Sequence, residues 1–98
     1  MASLRIEFHP SAVDEAEGAL EWYAARGPAA AKAYLHELDH ALNQIVEAPH
    51  RWPRYSQDVR RYQFRRFPFA PFYRATQDAV QVLAVAHQRR KPGYWQEL

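Results

Sequence analysis

Residues 3–9, Ser-Leu-Arg-Ile-Glu-Phe-His, alternate in polarity. Leu4, Ile6 and Phe8 fall on one side, and Arg5, Glu7 and His9 on the other. A period of two predicts a strand, and Pro10 ends it. From Ser11 the period changes. Val13, Ala16, Leu20 and Tyr23 recur at helical spacing and predict a helix over about residues 11–25. Ser11 offers an N-cap. Asp14, Glu15 and Glu17 follow early, where negative charge suits the helix dipole. Gly27 is the expected stop. Pro28 suits the first position of a second helix, because its missing N–H has no partner to lose there. Ala31, Tyr34, Leu35, Leu38, Leu42 and Ile45 form its apolar stripe, and Pro49 closes it. Two such helices joined by about two residues make an antiparallel hairpin.

The second half reads differently. Residues 49–57 carry two prolines and predict a loop. Residues 59–66 alternate again: Tyr62 and Phe64 share a face with Arg60 and Arg66, while Arg61, Gln63 and Arg65 share the other. Residues 67–75 are strongly aromatic. Gln77-Asp78 marks a turn, and residues 80–86 are nearly all apolar, as in a central strand covered on both faces. Pro71 is discordant, because proline cannot donate to a ladder and must sit at an edge or a bulge. The predicted order is strand, helix, helix, three strands. The expected fold is α+β and two-layered, with the helical hairpin packed on one face of a mainly antiparallel sheet. Residues 1–98 form a single expected domain.

Composition narrows the chemistry. There are no cysteines, which excludes disulfides, thiolate metal sites and thiol nucleophiles. No apolar run is long enough for a membrane helix, and residues 1–10 lack a signal-peptide core. The expected location is the cytoplasm, without membrane contact. The net charge of +2 conceals a division: residues 1–50 balance at −5 and residues 51–98 at +7. Eleven of the thirteen basic residues are arginines, which suits a polyanionic or acidic partner.

Sequence motifs for dinucleotides, phosphate loops, nucleophile elbows and zincins are absent. His36 and His40 are four apart on one helix face, but without a zincin glutamate or an evident third ligand they read as paired surface histidines. No metal or cofactor is expected. The helix carboxylates, including Glu17 and Glu21, read as solubility and dipole residues. Two basic and aromatic stretches stand out: residues 60–67 and residues 87–95. Arginine binds phosphates and carboxylates bidentately and stacks on aromatics. If the helices cover Tyr62 and Phe64, Arg61 and Arg65 project from the open face. Phe64, Phe67, Phe69, Phe72 and Tyr73 read as core.

Arg65-Arg66-Phe67-Pro68-Phe69-Ala70-Pro71-Phe72-Tyr73-Arg74, then Val82-Leu83-Ala84-Val85-Ala86-His87-Gln88-Arg89-Arg90-Lys91-Pro92 and Trp95, resembles the RelE/ParE superfamily of type II toxins. Ala16, Leu20, Trp22-Tyr23, Ala48-Pro49 and Trp52-Pro53 fit as well. The Phe67-Pro68-Phe69-Ala70 stretch and the lack of lysine in the preceding strand resemble the ParE-like form. The resemblance implies a toxin neutralised by a cognate antitoxin, with operator DNA contacted only through that antitoxin. It implies inhibition of DNA gyrase by binding, without chemistry of its own. The alternative it implies is a RelE-like ribosome-dependent mRNA interferase. Target- or antitoxin-binding residues are then expected at Arg61, Arg65, Arg66, Arg89, Arg90, Lys91, Tyr94 and Trp95. In the ribonuclease alternative, Arg65 and Arg89 hold the scissile phosphate and His87 is the general acid or base.

Overall fold

The computed structural model describes residues 4–89. The elements are β1 (Arg5–Phe8), α1 (Pro10–Ala24), α2 (Pro28–Glu47), β2 (Arg54–Ser56), β3 (Val59–Arg61), β4 (Phe69–Ala75) and β5 (Ala79–His87). They build one five-stranded sheet in the order β1-β5-β4-β3-β2. β1 runs parallel to β5, and every other pairing is antiparallel. The parallel pair follows from the hairpin, because two intervening helices return the chain to the same end of the sheet.

The expected α+β architecture stands, with four strands after the hairpin instead of three. The extra one is β2, inside the stretch expected as a loop. Gln57, at φ 48°, makes the tight left-handed turn into β3. The strand expected over 59–66 ends at Arg61, and Pro71 supplies a cause. Tyr62 donates its N–H to the Pro71 carbonyl at 3.1 Å, but Pro71 has no N–H to return. The ladder bond that would carry β3 onward is missing.

α1 begins at Pro10 with His9 as its N-cap, two residues before the expected cap at Ser11. The His9 Nδ1 accepts the Ser11 N–H at 3.1 Å, so Ser11 is capped rather than capping. The first turn therefore carries no acid, and Asp14, Glu15 and Glu17 lie further in. α1 ends at Ala24 with Ala25 as its C-cap, and Gly27, expected as its stop, is instead the N-cap of α2 at φ 143°, a conformation closed to most L side chains.

The expected stripes largely hold: Tyr34 and Ile45 are buried, and Ala16, Leu20, Tyr23, Leu38 and Leu42 pack against the same core. On α1, Ala12 and Ala19 are buried while Val13 is exposed; on α2, Tyr34, Ala41 and Ile45 are buried while Leu35 is exposed. The helices and the sheet share one core on this side. Tyr34 is its hub, ringed by Tyr23, Phe64, Phe67 and Phe69 with ring centroids 5.3–6.3 Å away. The Tyr34 hydroxyl donates to the Ala16 carbonyl at 3.2 Å, tying the two helices together. Tyr73 donates to the Pro49 carbonyl at 2.6 Å, fastening the end of α2 to β4. Burial pushes both hydroxyls up to about 12, Tyr34 with a smaller contribution from Tyr23 and Tyr73 against an opposing pull from Arg60.

Two carboxylates fill backbone vacancies in the sheet. β1 pairs with β5 only as far as Val82. Beyond that point the Val85 N–H donates to the Glu15 carboxylate at 3.0 Å. Beyond β3, the Arg66 N–H donates to the buried Glu37 at 2.8 Å.

Candidate functional site

Of the expected functional residues among those described, Arg61, Arg65, Arg66 and His87 lie on three distinct surfaces. The first is the sheet face turned away from the helices. Val59, Ala70, Phe72, Ala84 and Ala86 form a second apolar cluster there, with Tyr55 and Leu83 packed on it. No described helix residue belongs to that cluster. The register shift between Phe72 and Tyr73 places Leu83 as an extra residue on β5. Arg61 stands opposite Phe72, and Arg74 opposite Val59, so both arginines belong to this face. Arg74 reaches Asp58 at 3.0 Å. Two shallow hollows of about 210 and 320 Å³ adjoin on this face, sharing His9, Arg74 and Leu83. The whole is an apolar floor with arginines standing in it, suited to an amphipathic segment carrying acidic side chains.

The second surface is a cleft of about 390 Å³ between α2 and the irregular segment 62–68. His36, Glu37, His40, Tyr62, Arg65 and Arg66 line it. Tyr62 and Phe64 are buried on the helix side, as expected. Arg65, however, does not join Arg61 on the open face. The chain leaves strand geometry after Arg61, so alternation no longer governs its side chains. Arg65 and Arg66, expected on opposite faces, line the same cleft. Arg66 also approaches the Glu37 carboxylate through Nε at 3.7 Å.

The third surface is an apolar groove of about 350 Å³ beside α1, lined by Gly18, Ala19, Trp22, Tyr23, Pro68, Phe69 and His87. His87 meets Phe69 edge-on at 5.0 Å between centroids. Its Nδ1 accepts the Arg89 N–H at 3.0 Å, so a neutral ring carries its proton on Nε2. Trp22 is half exposed and covered by the Arg26 guanidinium, 3.0 Å from the ring centroid. Burial raises the Tyr23 hydroxyl, and Arg26 partly offsets this.

The trio expected for ribonuclease chemistry is thus divided: Arg65 lines the α2 cleft, and His87 lines the α1 groove. Arg89 is exposed just beyond β5. Arg90, Lys91, Tyr94 and Trp95 lie outside the described residues. Among the described residues, no three His, Asp or Glu side chains gather in a way that could hold a metal ion, and no helix is long and apolar enough to cross a membrane. Sequence reasoning missed Arg74 and His9, whose shared hollow depends on the Leu83 bulge. It also missed Glu37, although a glutamate within the apolar stripe of α2 was a readable signal.

The family model described as the ParE toxin of type II toxin-antitoxin systems, parDE, matches residues 6–92. No curated protein matches the sequence significantly. Among solved structures, the chain is similar to one from the chromosomal ParDE TA system of P. aeruginosa. The TM-score is 0.73 at 16% identity, covering 87% of this chain and 96% of that one. At that identity the likeness is one of fold. The sequence match, spanning nearly the whole domain, carries the conclusion: this chain belongs to the ParE toxin family of type II toxin-antitoxin systems.

Proposed function

We propose that this toxin acts by binding DNA gyrase, and that a cognate antitoxin neutralises it by covering the open sheet face. The family match over residues 6–92 is the observation that carries the reading. The separate placement of Arg65 and His87 supports inhibition by binding over phosphodiester chemistry, because a general acid must lie within hydrogen-bond reach of the group it serves. The open face supports the antitoxin half. Its apolar cluster, set between Arg61 and Arg74, matches a helical or extended segment with acidic flanks. Operator DNA would then be reached only through the antitoxin, and the site of action is the cytoplasm, where gyrase works.

The test is addition of the purified full chain to gyrase and supercoiled or relaxed plasmid. Blocked supercoiling or trapped cleaved DNA is the expected result. No effect at stoichiometric excess sinks the gyrase reading. Induction of the isolated gene in bacteria distinguishes the ribosomal alternative: prompt arrest of translation with cut mRNA points to the interferase, and stalled replication with intact mRNA points to gyrase.

A further inference from the structure

Asp14, Gly18 and Trp22 are spaced four apart on one exposed face of α1, and Arg26 follows in the turn after it. The Arg26 guanidinium lies on the Trp22 ring, 3.0 Å from its centroid, so it belongs to the same face. Trp22 is 53% exposed. A tryptophan so placed leaves a large apolar surface in water. Gly18 is the opposite case. Glycine inside a helix is less favourable than alanine, yet a Cβ built at Gly18 meets nothing within 4 Å. No packing among the described residues requires a glycine there. Gly18 instead opens the apolar groove of about 350 Å³ that Pro68, Phe69 and His87 wall on the far side. An exposed aromatic ring and an open seat for one therefore stand a single helical turn apart. Asp14 and Arg26, at the two ends of the stripe, make no ion pair among the described residues.

We propose that two copies of this chain associate through α1, antiparallel about a two-fold axis near Leu20, each seating Trp22 in the groove over Gly18 of the other. A two-fold contact must be self-complementary, and this stripe is. With the helices antiparallel, Gly18 of each copy faces Trp22 of the other, and Asp14 of each faces Arg26. The positions form one i±4 ridge, the kind that helices interdigitate. Charge matches as shape does, because each end of the stripe closes on an opposite pair. Arg26 is already held in place by the Trp22 ring and by its bond to the Trp22 carbonyl at 2.9 Å, so less of its freedom is lost on pairing. Glu17 and Glu21 border the stripe, and the axis sets them against the same residues of the other copy. Their repulsion keeps the contact weak and reversible. α1 lies on the helical side of the sheet, so the open sheet face of each copy stays free, and the association depends on neither gyrase nor the antitoxin.

The experiment is sedimentation equilibrium of the full chain from about 5 µM to 1 mM, a range that brackets weak association. A dissociation constant on the order of 10–100 µM is expected, because one helical stripe buries less than a standard interface. Trp22→Ala and Gly18→Leu should each weaken association about tenfold or more, the first by removing the ring and the second by filling its seat. Leu35→Gln, an exposed apolar site on α2, should change nothing. Asp14→Arg and Arg26→Asp should each weaken it about tenfold, since two exposed pairs become repulsive. Combining them should restore the original affinity. Glu21→Gln should tighten it about twofold. The chain has no cysteine, which permits a geometric check. Residues 14 and 26 of one copy are more than about 15 Å apart along the helix, too far for a disulfide. The double variant Asp14→Cys, Arg26→Cys should therefore oxidise to a covalent dimer, and neither single variant should. Circular dichroism establishes that each variant is folded.

A monomer at every concentration overturns the proposal and assigns the groove to another occupant, residues 90–98 or a different protein. A dimer that survives Trp22→Ala overturns it as well. So does a charge swap that fails to restore association, or equal cross-linking by the Asp14→Cys single variant.

Discussion

Glu15 and Glu37 each accept a backbone N–H where the sheet supplies no partner. An amide left unsatisfied in a part-buried position costs about 1–3 kcal/mol. Glu37→Ala should therefore lower stability by about that amount in urea unfolding, with Glu37→Gln losing less because its amide oxygen still accepts. The same logic makes Glu15→Ala speed hydrogen exchange at the Val85 amide more than at its neighbours on β5. Two tyrosines make a sharper case, because their sign can be worked out. Tyr34 and Tyr73 have hydroxyls raised from 10.0 to about 12 by burial in the folded state. The folded protein holds those protons more tightly than the unfolded chain does. The associated stability is fully present below about pH 10 and is lost between about pH 10 and 12. Each contributes on the order of 2 kcal/mol over that window. Tyr73→Phe should flatten the alkaline fall in stability relative to the unsubstituted chain. At neutral pH the same variant costs about 1 kcal/mol, since it removes the bond to the Pro49 carbonyl. An unchanged alkaline slope would contradict the assignment.

At the scale of elements, periodicity read along the chain located both helices and most of their buried faces, but misjudged Val13 and Leu35. Val13 and Leu35 satisfy the spacing of a stripe, yet both are exposed, and the core takes Ala12 and Ala19 on α1 and the expected Tyr34 on α2. The reason is packing distance. Small alanines on α1 let the helix approach β5 closely, and the large Tyr34 ring on α2 fills the space beside Tyr23. Spacing alone cannot say which residue at the edge of a stripe is buried, and substitution can. Leu35→Gln should change stability by no more than about 0.5 kcal/mol, whereas Tyr34→Ala should cost about 3–5 kcal/mol, both read from denaturant midpoints. Strand β2 escaped the sequence reading because Gln57 takes the left-handed turn position that Gly, Asn or Asp usually marks. Pro71 was legible as a break in the ladder, and the break decides where β3 ends. The two basic stretches were legible as well. Their division between cleft, groove and open face was not, because it follows from the exit of the chain from strand geometry after Arg61.

The whole molecule gives the charge division a direction. The −5 of residues 1–50 belongs mainly to the helical layer, and among the described residues from 51 to 89 a balance of +6 belongs to the sheet and its margins. A two-layer fold turns that asymmetry along the chain into an asymmetry across the molecule. An acidic partner approaching from solvent is steered to the sheet side, and the helical layer repels it. Charges at the rim of an interface act mainly on the rate of association, and salt screens them. If an acidic antitoxin covers the open face, Arg61→Glu should slow its association about tenfold at low salt, and raising salt from about 50 to 500 mM should shrink the difference. Arg65→Ala, in the cleft against α2, should leave antitoxin association nearly unchanged. Stopped-flow association with the purified antitoxin reads both. A salt-independent deficit in the Arg61 variant would mean local packing rather than steering. An equal deficit in the Arg65 variant would place the antitoxin across the α2 cleft.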